Sequence, residues 1–166
     1  MPVRPVVVLP NPILTNPAQL VERFGSDTRD LAHDLIDTMR SRPACVGLAA
    51  PQIGVHLRAF VIDVTGHRKA RSCAGETVLF NPDILRAEAP ELAREGCLSV
   101  PDFTGDVARA TIVVVRGFTA DGEIRMIETD AFEARAVLHE VDHLDGRLFL
   151  DRVASPESVF RRRIYQ

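Results

Sequence analysis

The chain has 166 residues, 46% hydrophobic and 26% charged, a length and balance that suit one packed core and exclude wholesale disorder. Its formal charge of -3 gives no general pull toward nucleic acid, so DNA is not an expected partner. The apolar run Val6 to Leu9 is too short for a signal peptide or a membrane span, and Cys45, Cys73 and Cys97 are too few for a disulfide framework, so a cytoplasmic protein without a membrane partner is expected.

In chain order, the first expected element is a helix from Ser26 to Arg42, where Leu31, Leu35 and Met39 recur every fourth residue on one face. Ser26 or Asp27 should cap it and Pro43 should stop it. Leu57 to Val64 and Val78 to Phe80 predict short strands, the second closed by Asn81-Pro82. Thr111 to Phe118 and Ile124 to Glu128 predict a hairpin through Asp121-Gly122, a pair that tolerates positive φ. Asp130 and Glu133 resemble a capping box that opens a second helix running to Gly146. Leu148 to Leu150 predict one more strand, and Ser155-Pro156 the start of a final helix. Strands grouped between separate helices predict an α+β fold in a single domain, residues 1–166, with antiparallel sheet around a central helix and a helix toward each terminus.

The central helix carries the pattern H-E-x-x-H as His139, Glu140 and His143. Residues four apart lie one helical turn from each other, so both histidines can reach one metal ion while Glu140 reaches its water. Chance would supply the three fixed positions in roughly one chain of this length in a couple of hundred. A catalytic site of this kind has three protein ligands. Candidates for the third are Cys97, Asp151 and Asp142, of which Asp142 points off the shared face. Cys97 lies in Glu95-Gly96-Cys97-Leu98-Ser99, where a glycine lets backbone pass close to an ion; alone, the segment reads better as a small buried cysteine in a strand. The run Val46 to Gln52 has small residues ending in an amide that can donate to an oxyanion, or it is simply a tight turn.

Together, three segments resemble the motifs of the peptide deformylase family, in its order and with comparable separations. The family pattern G-x-G-x-A-A-x-Q corresponds to Cys45 through Gln52, E-G-C-x-S to Glu95 through Ser99, and Q-H-E-x-D-H to Leu138 through His143. The resemblance implies removal of the formyl group from N-formyl-methionyl nascent peptides in the cytoplasm. It implies one divalent ion on Cys97, His139 and His143, usually Fe2+, with zinc, nickel or cobalt also accommodated. Glu140 would be the general acid and base, Gln52 and the Leu98 backbone N–H the oxyanion donors, and the backbone at Val46, Gly47 and Gly96 the strand that pairs with substrate. Glu95 and Arg109 would form a supporting ion pair or stay separately solvated.

Two motif positions depart from the pattern: Cys45 stands for its first glycine and Leu138 for its glutamine. Neither removes a ligand, the base or a donor, so they mark either neutral drift or a specialised, inhibitor-tolerant paralogue. An H-E-x-x-H metallopeptidase and an inactive peptide-binding paralogue are the competing readings. Arg161-Arg162-Arg163 would either complement the end of the final helix or make a transient ribosome contact.

Overall fold

The computed structural model describes residues 3–163. Helix α1 (Ser26–Arg40) forms where expected and buries Leu31, Leu35 and Met39. Its start differs, since Gly25 is the N-cap and Thr28 closes the turn in place of Ser26 or Asp27. The Thr28 hydroxyl accepts from the Gly25 N–H at 2.9 Å and donates to the Ala120 carbonyl at 2.6 Å.

All the paired strands form one antiparallel sheet, ordered β1 (Gly47–Ala49), β2 (Ala59–Ile62), β3 (Thr77–Cys97), β4 (Val100–Phe118) and β5 (Ile124–Asp130). Every residue of β2 is buried because both its faces are covered. Phe60 and Ile62 pack with Val137, Val141 and Leu144 of helix α2 (Ala131–Leu144), while Ala59 and Val61 pack with Leu31, Leu35 and Met39 of α1. Removing one such aliphatic side chain from water stabilises by about 1.5–3 kcal/mol. The two helices thus clamp this end of the sheet.

The strands expected at Val78 to Phe80 and Thr111 to Phe118 are only the far ends of a much longer hairpin. Asn81-Pro82 does not close β3. Asn81 takes φ 47°, the register shifts between Phe80 and Asp83, and pairing then resumes as far as Cys97. The strand from Leu85 to Leu92 is exposed, so it lacks the apolar alternation that marks a half-buried strand. The β4–β5 turn matches expectation, with Gly122 at φ 84°.

Helix α2 spans most of the expected range, but Asp130 and Glu133 form no capping box. Their carboxylates hold the preceding loop instead: Asp130 accepts from the Ser72 N–H at 2.8 Å and Glu133 from the Ala74 N–H at 2.7 Å. Gly146 ends the helix at φ 73°, where a side chain would also stand 2.7 Å from the Asn16 backbone. Beyond it, Phe149–Asp151 is a 3-10 turn, where a strand was expected. The expected final helix does not form among the described residues either. Pro156–Ser158 makes a single 3-10 turn and leads into strand β6 (Val159–Arg161), which pairs with β4 as Phe103↔Arg161, Thr104↔Phe160 and Gly105↔Val159. The Arg94 guanidinium stacks 3.8 Å over the Phe160 ring, so β6 gains an anchor that helix formation would forfeit. The arginine run therefore complements no helix end. The architecture is α+β, an antiparallel sheet with two α-helices among the described residues, and no described helix is long and apolar enough to cross a membrane.

Candidate metal centre and active site

Cys97 sits at the tip of the β3–β4 hairpin, where the register shifts between Gly96 and Cys97 and re-aims the side chain. His139 and His143 project from α2 one turn apart. One ligand atom from each of these three residues lies within 4.8 Å of the others. Cys97 Sγ is 3.3 Å from His143 Nε2, and the two imidazole centroids are 5.1 Å apart. A thiolate with two imidazoles fits a first-row divalent ion. The electrostatics fit as well. Burial opposes a charged sulfur, yet the neighbouring His143 and His139 outweigh it and hold the Cys97 thiol well below its ordinary range. The other two candidate ligands lie outside the cluster. Asp142 pairs with Arg109 at 2.6 Å and Arg152 at 2.9 Å, and Asp151 accepts from the Leu148 N–H at 2.8 Å.

Behind the cluster, Glu95 is a buried hub. It accepts from Arg109 Nε at 2.6 Å and Arg135 Nη1 at 2.7 Å, and its Oε1 lies 2.8 Å from His139 Nδ1. The last contact fixes the imidazole and leaves Nε2 for a ligand. Burial alone would raise the Glu95 carboxyl, but His139 and Arg109 outweigh it and lower it to about 2. The Glu95–Arg109 pair is thus formed, and Arg135 and Arg152 join it. Sequence reasoning missed both, although Arg135 stands four residues before His139, the same spacing that joined the histidines.

Glu140 is buried, and its Oε2 has no hydrogen-bond partner among the described residues. Burial, opposed by His139 and His143, pushes its carboxyl up to about 7. A group that titrates there can both take and return a proton at neutral pH. Gly47 faces it: a Cβ at that position would stand 2.5 Å from Glu140 Oε1, so only glycine leaves this carboxylate in place.

Gln52, on the 3-10 turn Ala50–Ile53, is held at both ends of its amide. Oε1 accepts from the Ala49 N–H at 2.9 Å, and Nε2 donates to Ser99 Oγ at 3.1 Å while lying 3.5 Å from Cys97 Sγ. Ser99 in turn donates to the Val7 carbonyl at 2.7 Å. The Val7 N–H donates to the Gln52 carbonyl at 2.7 Å and the Leu9 N–H to the Ser99 carbonyl at 3.0 Å. The N-terminal segment therefore braces this donor, a role with no signal in the motifs.

Cys97, His139, Glu140 and Gln52 line a cleft of about 310 Å³ whose wall also includes Val46, Gly47, Gly96 and Leu98, while His143 is buried and reaches the cluster from outside that lining. Val46 turns its carbonyl to β2, accepting from the Asp63 N–H at 2.9 Å. Alternation along the strand then aims the Gly47 carbonyl away from β2, toward the free edge of β1. There the Cys45 thiol donates to it at 3.1 Å.

Comparison with known proteins places these features in a family. Residues 3–159 match the family model described as polypeptide deformylase. A peptide deformylase of Mesorhizobium japonicum is 41% identical over 155 residues, 93% of this chain and 86% of that one. Among solved structures, the peptide deformylase of Thermotoga maritima superposes with a TM-score of 0.84 at 33% identity, covering 93% of this chain and 100% of that one. A class I type b peptide deformylase of Acinetobacter baumannii, crystallised with Met-Ala-Ser bound, gives a TM-score of 0.84 at 36% identity, covering 92% of this chain and 100% of that one.

Proposed function

The chain belongs to the polypeptide deformylase family, hydrolases that remove the N-formyl group from new polypeptides, and from that premise we propose how its own residues do so. The whole chain, residues 1–166, acts as one catalytic domain in the cytoplasm with α2 as its central, metal-binding helix. Cys97, His139 and His143 hold one divalent ion, and Fe2+ is the ion proposed, with Zn2+, Ni2+ or Co2+ able to occupy the same donors. That ion supplies Lewis acidity, which makes water nucleophilic near neutral pH.

A formyl-methionyl peptide lies extended in the cleft, its backbone paired with Val46, Gly47 and Gly96, a sequence-tolerant mode of recognition. Its methionine side chain enters the part of the cleft walled by Phe132 and Ala136. Glu140 accepts a proton from the attacking water through Oε2. As the tetrahedral carbon forms, the Gln52 amide and the Leu98 backbone N–H donate to the developing oxyanion; a donor of this kind is worth about 3–4 kcal/mol. Glu140 then passes its proton to the departing nitrogen, the carbon–nitrogen bond breaks, and formate and a free amino terminus leave.

The observation that carries this reading is the Cys97, His139 and His143 cluster, two of whose members line one cleft with Glu140, whose Oε2 has no partner among the described residues. Anaerobic purification with metal analysis, followed by formate release from a formyl-methionyl peptide, tests it. The acetylated peptide and an internal peptide bond should be poor substrates. Glu140→Gln should keep its metal and lose at least 100-fold in rate, in line with general acid–base catalysis. Loss of metal together with rate would take the proton-transfer role away from Glu140.

A further inference from the structure

The C-terminal strand carries a cation into the cleft. Just past β6 the chain stays against β4, since the Arg162 N–H donates to the Asp102 carbonyl at 2.8 Å. This brings the Arg162 side chain back over Gly96, where a Cβ would stand 2.7 Å from Arg162 Nη2. Arg162 therefore lines the same cleft as Gly47 and Glu140. Its one side-chain hydrogen bond among the described residues is a long one, 3.4 Å to the Cys97 carbonyl.

Its neighbour Arg94 lines the cleft too, but that charge is already used. Arg94 pairs with Asp106 at 2.7 Å and lies over the Phe160 ring, so it seats β6. Other arginines around the site are also matched, Arg109 and Arg135 to Glu95, and Arg152 to Asp142. Arg162 has no carboxylate within ion-pair distance among the described residues. A guanidinium held beside Gly96, with one long hydrogen bond and no carboxylate on its fork among the described residues, is built to meet a carboxylate.

We propose that Arg162 determines specificity by anchoring an acidic side chain on one of the first three residues after the formyl-methionine. The inference rests on the peptide lying along Gly96 as proposed above. The pair would be solvent-exposed, which limits it to a few-fold effect, sensitive to salt.

The test compares kcat/KM for formyl-methionyl tetrapeptides bearing Asp or Asn at each of the three positions, in wild type, Arg162→Lys, Arg162→Gln and Arg162→Glu. The ratio of Asp to Asn within each enzyme cancels any change that a variant makes to overall activity. Wild type and Arg162→Lys should favour Asp by about 3- to 5-fold at one position, mainly through KM. The ratio should fall to about one in Arg162→Gln, invert in Arg162→Glu, and shrink as salt is raised. Ratios of one at all three positions in wild type, or a preference that survives Arg162→Gln, would overturn the proposal while leaving the deformylation reading intact. No formate from any peptide would overturn both.

Discussion

Gln52 can stabilise an oxyanion only while its amide is held in plane, and two groups hold it: the Ala49 N–H and the Ser99 hydroxyl. Ser99→Ala removes one anchor and leaves the Val7 carbonyl without its donor, a cost to stability of about 1–3 kcal/mol. Because the oxyanion contact is made in the transition state, kcat should fall about 10-fold with KM within about two-fold. Steady-state kinetics on a formyl-methionyl peptide decides it; a change confined to KM would place Ser99 in ground-state binding. Cys45 should behave in the opposite way. Burial and the Glu140 carboxylate push its thiol up to about 11, so it remains a donor at neutral pH and occupies the Gly47 carbonyl that a peptide paired as proposed would need. Cys45→Gly should lower KM by about 3- to 5-fold, the worth of one modest hydrogen bond, with kcat little changed. Equal KM in both proteins would make the cysteine a neutral replacement. The backbone gives no obstacle to either residue, since the positive φ in this stretch belongs to Ala44. At this scale the residues that cluster, Cys97, His139 and His143, could be named from the sequence because they fall in motifs resembling a family's. Ser99's task was not, because it acts across 47 residues of sequence separation.

The elements differ in how far sequence patterns reached them. The first helix was legible from its apolar spacing, and the second from its end signals, of which Gly146 serves as expected and the Asp130–Glu133 capping box does not form. Most of β3 was not, because Leu85 to Leu92 faces solvent and its pairing depends on β4 alone. The last strand was misread as a helix because Ser155-Pro156 is a sound local start signal, overridden by the free edge of β4 and by Arg94 waiting for Phe160. What joins these elements is Glu95 on β3, tied to Arg109 on β4 and to Arg135 and His139 on α2. Its carboxyl lies at about 2 against an ordinary 4.5. A depressed acid contributes stability that is complete above its unfolded value and is lost as pH falls through its folded one. Wild type should therefore lose this contribution between about pH 4.5 and 2. Glu95→Gln, which leaves Arg109 and Arg135 facing a neutral amide, should melt about 10 °C lower at pH 7, as expected for a broken buried pair. Melting curves from pH 7 downward should converge as Glu95 protonates in wild type; a constant gap would show that its charge is not what matters.

Across the whole molecule, the α+β architecture was readable from patterning, whereas the closeness of Cys97, His139 and His143 was not readable from spacing and entered only through the family resemblance. Cys97 comes from a hairpin tip and the histidines from a helix 42 and 46 residues later, and only the packed fold brings them within 4.8 Å. An unfolded chain holds no such site. Occupancy is then a partner in the folding equilibrium by mass action: an ion at 100 times its dissociation constant adds about 2.7 kcal/mol. Stripping the ion should lower Tm by roughly 5–10 °C, and Tm should climb with the logarithm of added ion in wild type but not in Cys97→Ala. A Tm blind to ion concentration would put the ion elsewhere. The same coupling makes a chelator act as a mild denaturant, so a hydroxamate-type inhibitor that binds through the ion should raise Tm only when the ion is present, and a melting curve becomes a gauge of loading before any substrate is added.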